Sequence, residues 1–114
     1  MTIMPTLIEV EGVFPALLAI NRQAFALAQY EVAYHALAAA LHSACDDANR
    51  DHQRDVQAIA MRQGAWIDSH SPEDRISSAS ARLRGHDSMY SMLERQAGAA
   101  MHIDYTARSR RQKP

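Results

Sequence analysis

Apolar residues recur three and four positions apart along most of this chain, the spacing that lines side chains on one face of an α-helix. Leu27, Tyr30, Tyr34, Leu37 and Leu41 form one such stripe. A second, through Ile20, Ala24, Leu27, Tyr34, Ala38, Leu41 and Cys45, overlaps it and widens the apolar arc. A wide arc suits a helix with two neighbours, and Ala38-Ala39-Ala40 suits close approach. These patterns predict a first helix over roughly 15–45, with Pro15 in its first turn. The polar run Cys45-Asp46-Asp47-Ala48-Asn49 is a short break, as between antiparallel neighbours.

A second helix follows over roughly 50–69. Its stripe is Val56, Ile59, Ala60, Trp66 and Ile67, and its outer face alternates charge through Arg50, Asp51, Arg54, Asp55 and Arg62. Ser71-Pro72-Glu73-Asp74 then reads as a helix start: a capping serine, proline at the first position and two acids at the positive end of the dipole. The third helix, 72–104, carries Ile76, Ala79, Leu83, His86, Tyr90, Leu93, Ala97 and Ala100 on one face, flanked by Met89, Met92 and Met101. The fold class expected is all-α: an antiparallel up-down-up bundle of about three unequal helices with an irregular N-terminal arm. Residues 1–14 form the arm, in which Thr6–Glu11 could be a lone strand. Residues 15–106 form the bundle domain, and 107–114 a flexible basic tail with Arg108, Arg110, Arg111 and Lys113.

Composition narrows the function classes. With 114 residues, 47% of them apolar and 22% charged, the chain can bury one core without disulfide or metal staples. A net charge of −1 gives no overall field for nucleic acid or anionic membrane. Cys45 is the sole cysteine, so no intrachain disulfide forms. The start of the chain carries Glu9 and Glu11 and no basic residue before Pro15, unlike a secretory leader. No run approaches the roughly 18 apolar residues of a membrane span. A cytoplasmic protein is expected.

Candidate chemistry is sparse. Glu31 and His35 stand one turn apart, but a di-iron bundle needs two Glu-x-x-His pairs and further inward carboxylates. His42, Cys45, Asp46 and His52 have zinc-ligand chemistry without paired cysteines or repeated histidines. The Arg–His spacing of helical HEPN ribonucleases is missing at Arg62–His70 and at Arg82–His86, and His35 lacks the following lysine of histidine-phosphotransfer bundles. Ser77, Ser78 and Ser80 have no base at a helical offset and read as small residues for close packing. No catalytic residue, metal or cofactor is therefore expected. Tyr30, Tyr34, Trp66 and Tyr90 could line an aromatic groove, and His86 with Arg82 makes a polar spot on the third helix; the candidate binding residues are Tyr34, Trp66, Arg82, His86 and Tyr90.

Helix lengths point to a partner. At 1.5 Å per residue the three helices measure about 45, 30 and 48 Å, so the third overshoots its neighbours. Leu17, Leu18 and Ile20 at one end, and Met101, Ile103 and Tyr105 at the other, then need cover. The N-terminal arm folding back or a second copy of the chain would provide it; a homodimer is the favoured expectation, since two-fold dimers are the commonest oligomers and a 14-residue arm covers only one end. The function expected is a small helical interaction or adaptor protein working through helix faces. The alternatives are a nucleic-acid accessory protein using the basic tail and a small-molecule or metal-sensing bundle.

Overall fold

The computed structural model describes residues 12–112, with side chains through 103. Those residues contain no strand and five helices: α1 Val13–Ala26, α2 Tyr30–Asp46, α3 Arg50–His70, α4 Ser78–Leu83 and α5 Met89–Gln112. Most of the expected irregular arm, including the segment Thr6–Glu11, lies outside the described residues. So does Lys113, and nothing is assigned to the side chains of Arg108, Arg110 and Arg111, although the helical backbone of α5 continues through 112.

The fold is all-α, but two of the three expected helices are broken. The first divides into α1 and α2 because the chain reverses at Leu27-Ala28-Gln29. There the Gln29 amide donates to Ala24 O (2.9 Å) and the Ala28 amide to Phe25 O (3.0 Å), a Schellman cap with Ala28 at φ 60°. The same cap ends α2: Asn49 donates to Ala44 O, Ala48 to Cys45 O, and Ala48 sits at φ 50°. It ends α4 as well, where His86 donates to Ala81 O and Gly85, at φ 81°, to Arg82 O. Glycine reaches this conformation without strain, whereas an L-residue is held there at about 1–2 kcal/mol. Ala28 carries no glycine signal, so the apolar rhythm reads straight through a turn.

The expected third helix is broken for a different reason. Ser71 is not its cap. The Asp74 amide donates to the Ser71 backbone carbonyl in a turn, and Asp74 Oδ1 accepts from the Ile76 amide. The serine that caps α4 is Ser77, whose Oγ accepts from Ser80 N at 3.1 Å. Two breaks, at 72–77 and 84–88, move Leu83 out of the stripe, and it is 90% exposed. Only Tyr90, Leu93 and Ala97 of that stripe continue together into the core along α5.

Side-chain pairings fix how the long helices run. Phe14 stacks on His52, Asn21 bonds Gln63 and Phe25 meets Trp66 edge-on, so α1 lies along α3 in the same direction. Tyr30 packs by Trp66 while Gln53 Nε2 donates to Ala44 O, so α2 runs opposite to α3. Gly64 faces Tyr90 and Gly98 faces Gln57, so α5 also opposes α3. A Cβ on Gly64 would stand 3.1 Å from Tyr90 Cβ, which is why these two helices approach through glycine. Leu37, Val56, Ile67 and Leu93, with Ala33, Ala40, Ala44, Ala60 and Ala97, fill the centre. Each buried large apolar side chain contributes about 1.5–3 kcal/mol.

One part of the core is polar. Asn21 Nδ2 donates to Gln63 Oε1 (3.0 Å) and to Ala33 O (2.7 Å), and Gln63 Nε2 returns a bond to Asn21 Oδ1 (2.7 Å). This reciprocal pair joins α1, α2 and α3 at one level of the bundle. Amide groups satisfied on both sides specify register, because any slip leaves them dry and unbonded.

Candidate functional site

The aromatic residues do not form one groove. Trp66 meets Phe25 edge-on (5.5 Å between centroids) and Tyr30 at a tilt (5.9 Å), and stacks on His70 at 4.4 Å. Tyr34 belongs to a second group, packed edge-on against Tyr90 (5.8 Å) and His35 (5.1 Å). Trp66 is partly exposed, Tyr34 half-buried and Tyr90 buried. Tyr90 donates its hydroxyl to Tyr30 O at 3.2 Å, tying the start of α5 to the start of α2. That position makes it a structural anchor.

Burial pushes the Tyr90 phenol well above its ordinary value, and the neighbouring Tyr30 adds to the rise. The folded state therefore favours the protonated ring. Its contribution to stability is complete below about pH 10 and is lost as pH rises through the folded pKa. In an alkaline titration, one tyrosine is expected to ionise only with the loss of helical circular dichroism. Ionisation of every tyrosine near pH 10 in a still-folded chain would contradict this.

His86 and Arg82 are both exposed, and neither lies in a helix face shared with Tyr90. Arg82 is on α4, and His86 follows the cap of that helix, its Nδ1 2.9 Å from Asp87 O. His86 does line a cleft of about 150 Å³ with Glu31, Asp74, Arg75, Ile76, Ala81, Arg84, Ser88 and Met89. Arg75 and Arg84 are nine positions apart and share no helix, so periodicity gives no hint that they converge. The local signals are Gly85, which turns the chain after α4, and Ser77 and Ser88, whose hydroxyls accept from Ser80 N and Ser91 N at the starts of α4 and α5.

The remaining candidates take ordinary positions. Glu31 and His35 are exposed on α2, and no ion pair joins them. Among the described residues, no group of three or more His, Cys, Asp or Glu side chains is placed to hold a metal. His42, Cys45 and Asp46 lie exposed near the end of α2, while His52 is part-buried in its parallel stack with Phe14, 3.9 Å between centroids. Ser78 bonds Asp68 through both its amide (2.8 Å) and its hydroxyl (2.7 Å), pinning α4 to α3.

An apolar seam was missed by sequence reasoning. Val13, Ile20 and Leu27, each seven residues from the next, stay 51%, 50% and 62% exposed along α1, and Val32 on α2 is 50% exposed. Ile20, Ala24, Leu27 and Val32 line a shallow groove between the two helices, and Val13, Leu17 and Ala39 line another. The sequence pattern places Ile20 both in the core stripe and among the apolar residues needing cover; with α1 and α2 separated at Ala28 it lies on the flank, half-exposed. Leu17 and Leu18 pack against the core, so the length mismatch expected to expose them does not arise once α1 and α2 are separate helices.

Comparison of the chain with protein-family models, with curated proteins and with solved structures finds no match. No described helix is long and apolar enough to cross a membrane.

Proposed function

We propose that this is a small cytoplasmic interaction protein that acts through helix faces and pairs with a second copy of itself along the α1–α2 seam. The observation that carries the reading is the half-exposed stripe Val13, Ile20 and Leu27 on one helix. Its spacing is symmetric about Ile20. Two copies of α1 laid antiparallel place Ile20 against itself and Val13 against Leu27 of the partner, as a two-fold interface requires. Arg22 is the sole charged residue of α1, so the pairing meets little like-charge repulsion. Contiguous exposed apolar surface of this kind marks interaction sites in soluble proteins.

Light scattering during size exclusion at micromolar concentration tests the reading. A dimer is expected for the native chain, and Ile20→Glu is expected to shift it to monomer with its melting temperature little changed. A clean monomer for the native chain sinks the proposal, and so does a dimer indifferent to Ile20→Glu.

A further inference from the structure

The link between α3 and α5 differs from the other two. Residues 27–29 and 47–49 are enough to reverse the chain, yet 71–88 are used to join α3 to α5, with only the short α4 inside. Links this long in a compact domain usually carry function. This one is also held rigid. Ser77 Oγ donates to Pro72 O at 2.6 Å, Arg84 Nη2 to Arg75 O at 2.8 Å, and Ser78 is bonded twice to Asp68. The result of that bracing is the cleft beneath His86.

The lining of the cleft combines apolar and charged side chains. Ile76 and Ala81 are buried and Met89 is half-buried, giving an apolar floor. Around it stand the exposed cations Arg75 and Arg84, with His86, and the carboxylates of Glu31 and Asp74. No ion pair joins these opposite charges. The ion pairs found among the described residues are Arg54–Asp51 and Arg95–Asp87, both elsewhere. Arg75 and Glu31 make no side-chain hydrogen bond there either, and Asp74 uses Oδ1 on the Ile76 amide. The start of α5 opens on the cleft through Met89 and the preceding Ser88, bringing the positive end of a long helix to it.

We infer that this cleft binds a small zwitterion of the free α-amino-acid class with an apolar side chain. The ligand carboxylate lies toward Arg75, Arg84 and the start of α5, where a bidentate guanidinium contact is available. Its ammonium lies toward Glu31 and Asp74, and its side chain covers Ile76, Ala81 and Met89. A volume of about 150 Å³ is below the roughly 300–1,000 Å³ of sites for drug-sized molecules, which sets the ligand at this scale. An anion alone would leave Glu31 and Asp74 facing it, and a cation alone would face two arginines. A molecule carrying both charges satisfies the whole rim.

Titration of the full chain with L-leucine, followed by amide shifts in a two-dimensional NMR spectrum, tests this. Saturable shifts are expected at residues 74–76, 81 and 84–89. N-acetyl-leucine, which lacks the ammonium, and leucinamide, which lacks the carboxylate, are each expected to bind at least roughly tenfold more weakly, the scale of one charge-assisted contact. Arg75→Gln and Glu31→Gln alter exposed side chains with no partner among the described residues, so both variants are expected to fold. Each is expected to weaken leucine binding by about the same factor. Absence of shifts at millimolar leucine overturns the inference. Equal binding of N-acetyl-leucine also overturns it, by showing that the cleft reads only an anion. Retention of full affinity in Arg75→Gln or Glu31→Gln does so too.

Discussion

Asn21→Ala is expected to lower the unfolding free energy by about 2–4 kcal/mol, measured by urea denaturation followed by circular dichroism. The truncation removes few apolar contacts, so the loss comes from what is left behind. Gln63 keeps a buried amide whose Oε1 loses its 3.0 Å donor and whose Nε2 loses its 2.7 Å acceptor, and Ala33 O loses its 2.7 Å partner. Each dry polar group costs about 1–3 kcal/mol. Replacing both members at once, Asn21→Leu with Gln63→Leu, leaves no unbonded amide between positions 21 and 63, with only the Ala33 O bond still lost, and is expected to cost far less than Asn21→Leu and Gln63→Leu added together. Simple additivity in that cycle would show that the pair is not coupled. For a domain whose whole stability is about 5–15 kcal/mol, the single change leaves a marginal protein.

Tyr90→Ala is expected to cost about 3–5 kcal/mol, the range for emptying a buried aromatic site. The ring is 1% exposed, lies against Tyr34 and fits over Gly64, so no neighbour can move in without separating α3 from α5. Tyr90→Phe keeps the packing and loses one 3.2 Å hydrogen bond, for about 1 kcal/mol. The contrast separates packing from polarity, and near-equal losses in the two variants would refute the packing account. Truncation at Tyr90 also loosens the first turn of α5, which lines the cleft, so leucine binding is expected to fall with stability in Tyr90→Ala but not in Tyr90→Phe.

Helical periodicity was a good guide to the class of fold and to much of its core. Leu37, Leu41, Val56, Ala60, Ile67, Tyr90, Leu93 and Ala97 are buried where the stripes place them. It failed where the chain turns without the usual residues. Ala28 reverses the backbone in a segment whose apolar spacing and helix-forming composition favour continuation, and only tertiary packing decides against it. It failed in the other direction at Ser71-Pro72-Glu73-Asp74, a persuasive helix start that forms a braced turn. The buried amides Asn21, Gln53 and Gln63 were invisible for a related reason: a polar residue on a helix reads as surface unless its partner is known. The cleft was hidden because its members come from α2, a turn, α4 and the start of α5. Its residues converge through topology, and of them His86 alone is among the candidate binding residues read from the sequence.

The two alanines at the helix reversals leave the fold short of the best stability its architecture allows. Glycine is the residue at the equivalent position after α4. Placed at 28 or 48, glycine would remove about 1–2 kcal/mol of left-handed strain and lose back about 0.5–1 kcal/mol to the freer unfolded chain. Both turns are thus places where a single substitution raises the melting point without touching the core, the mark of a protein that folds adequately rather than optimally.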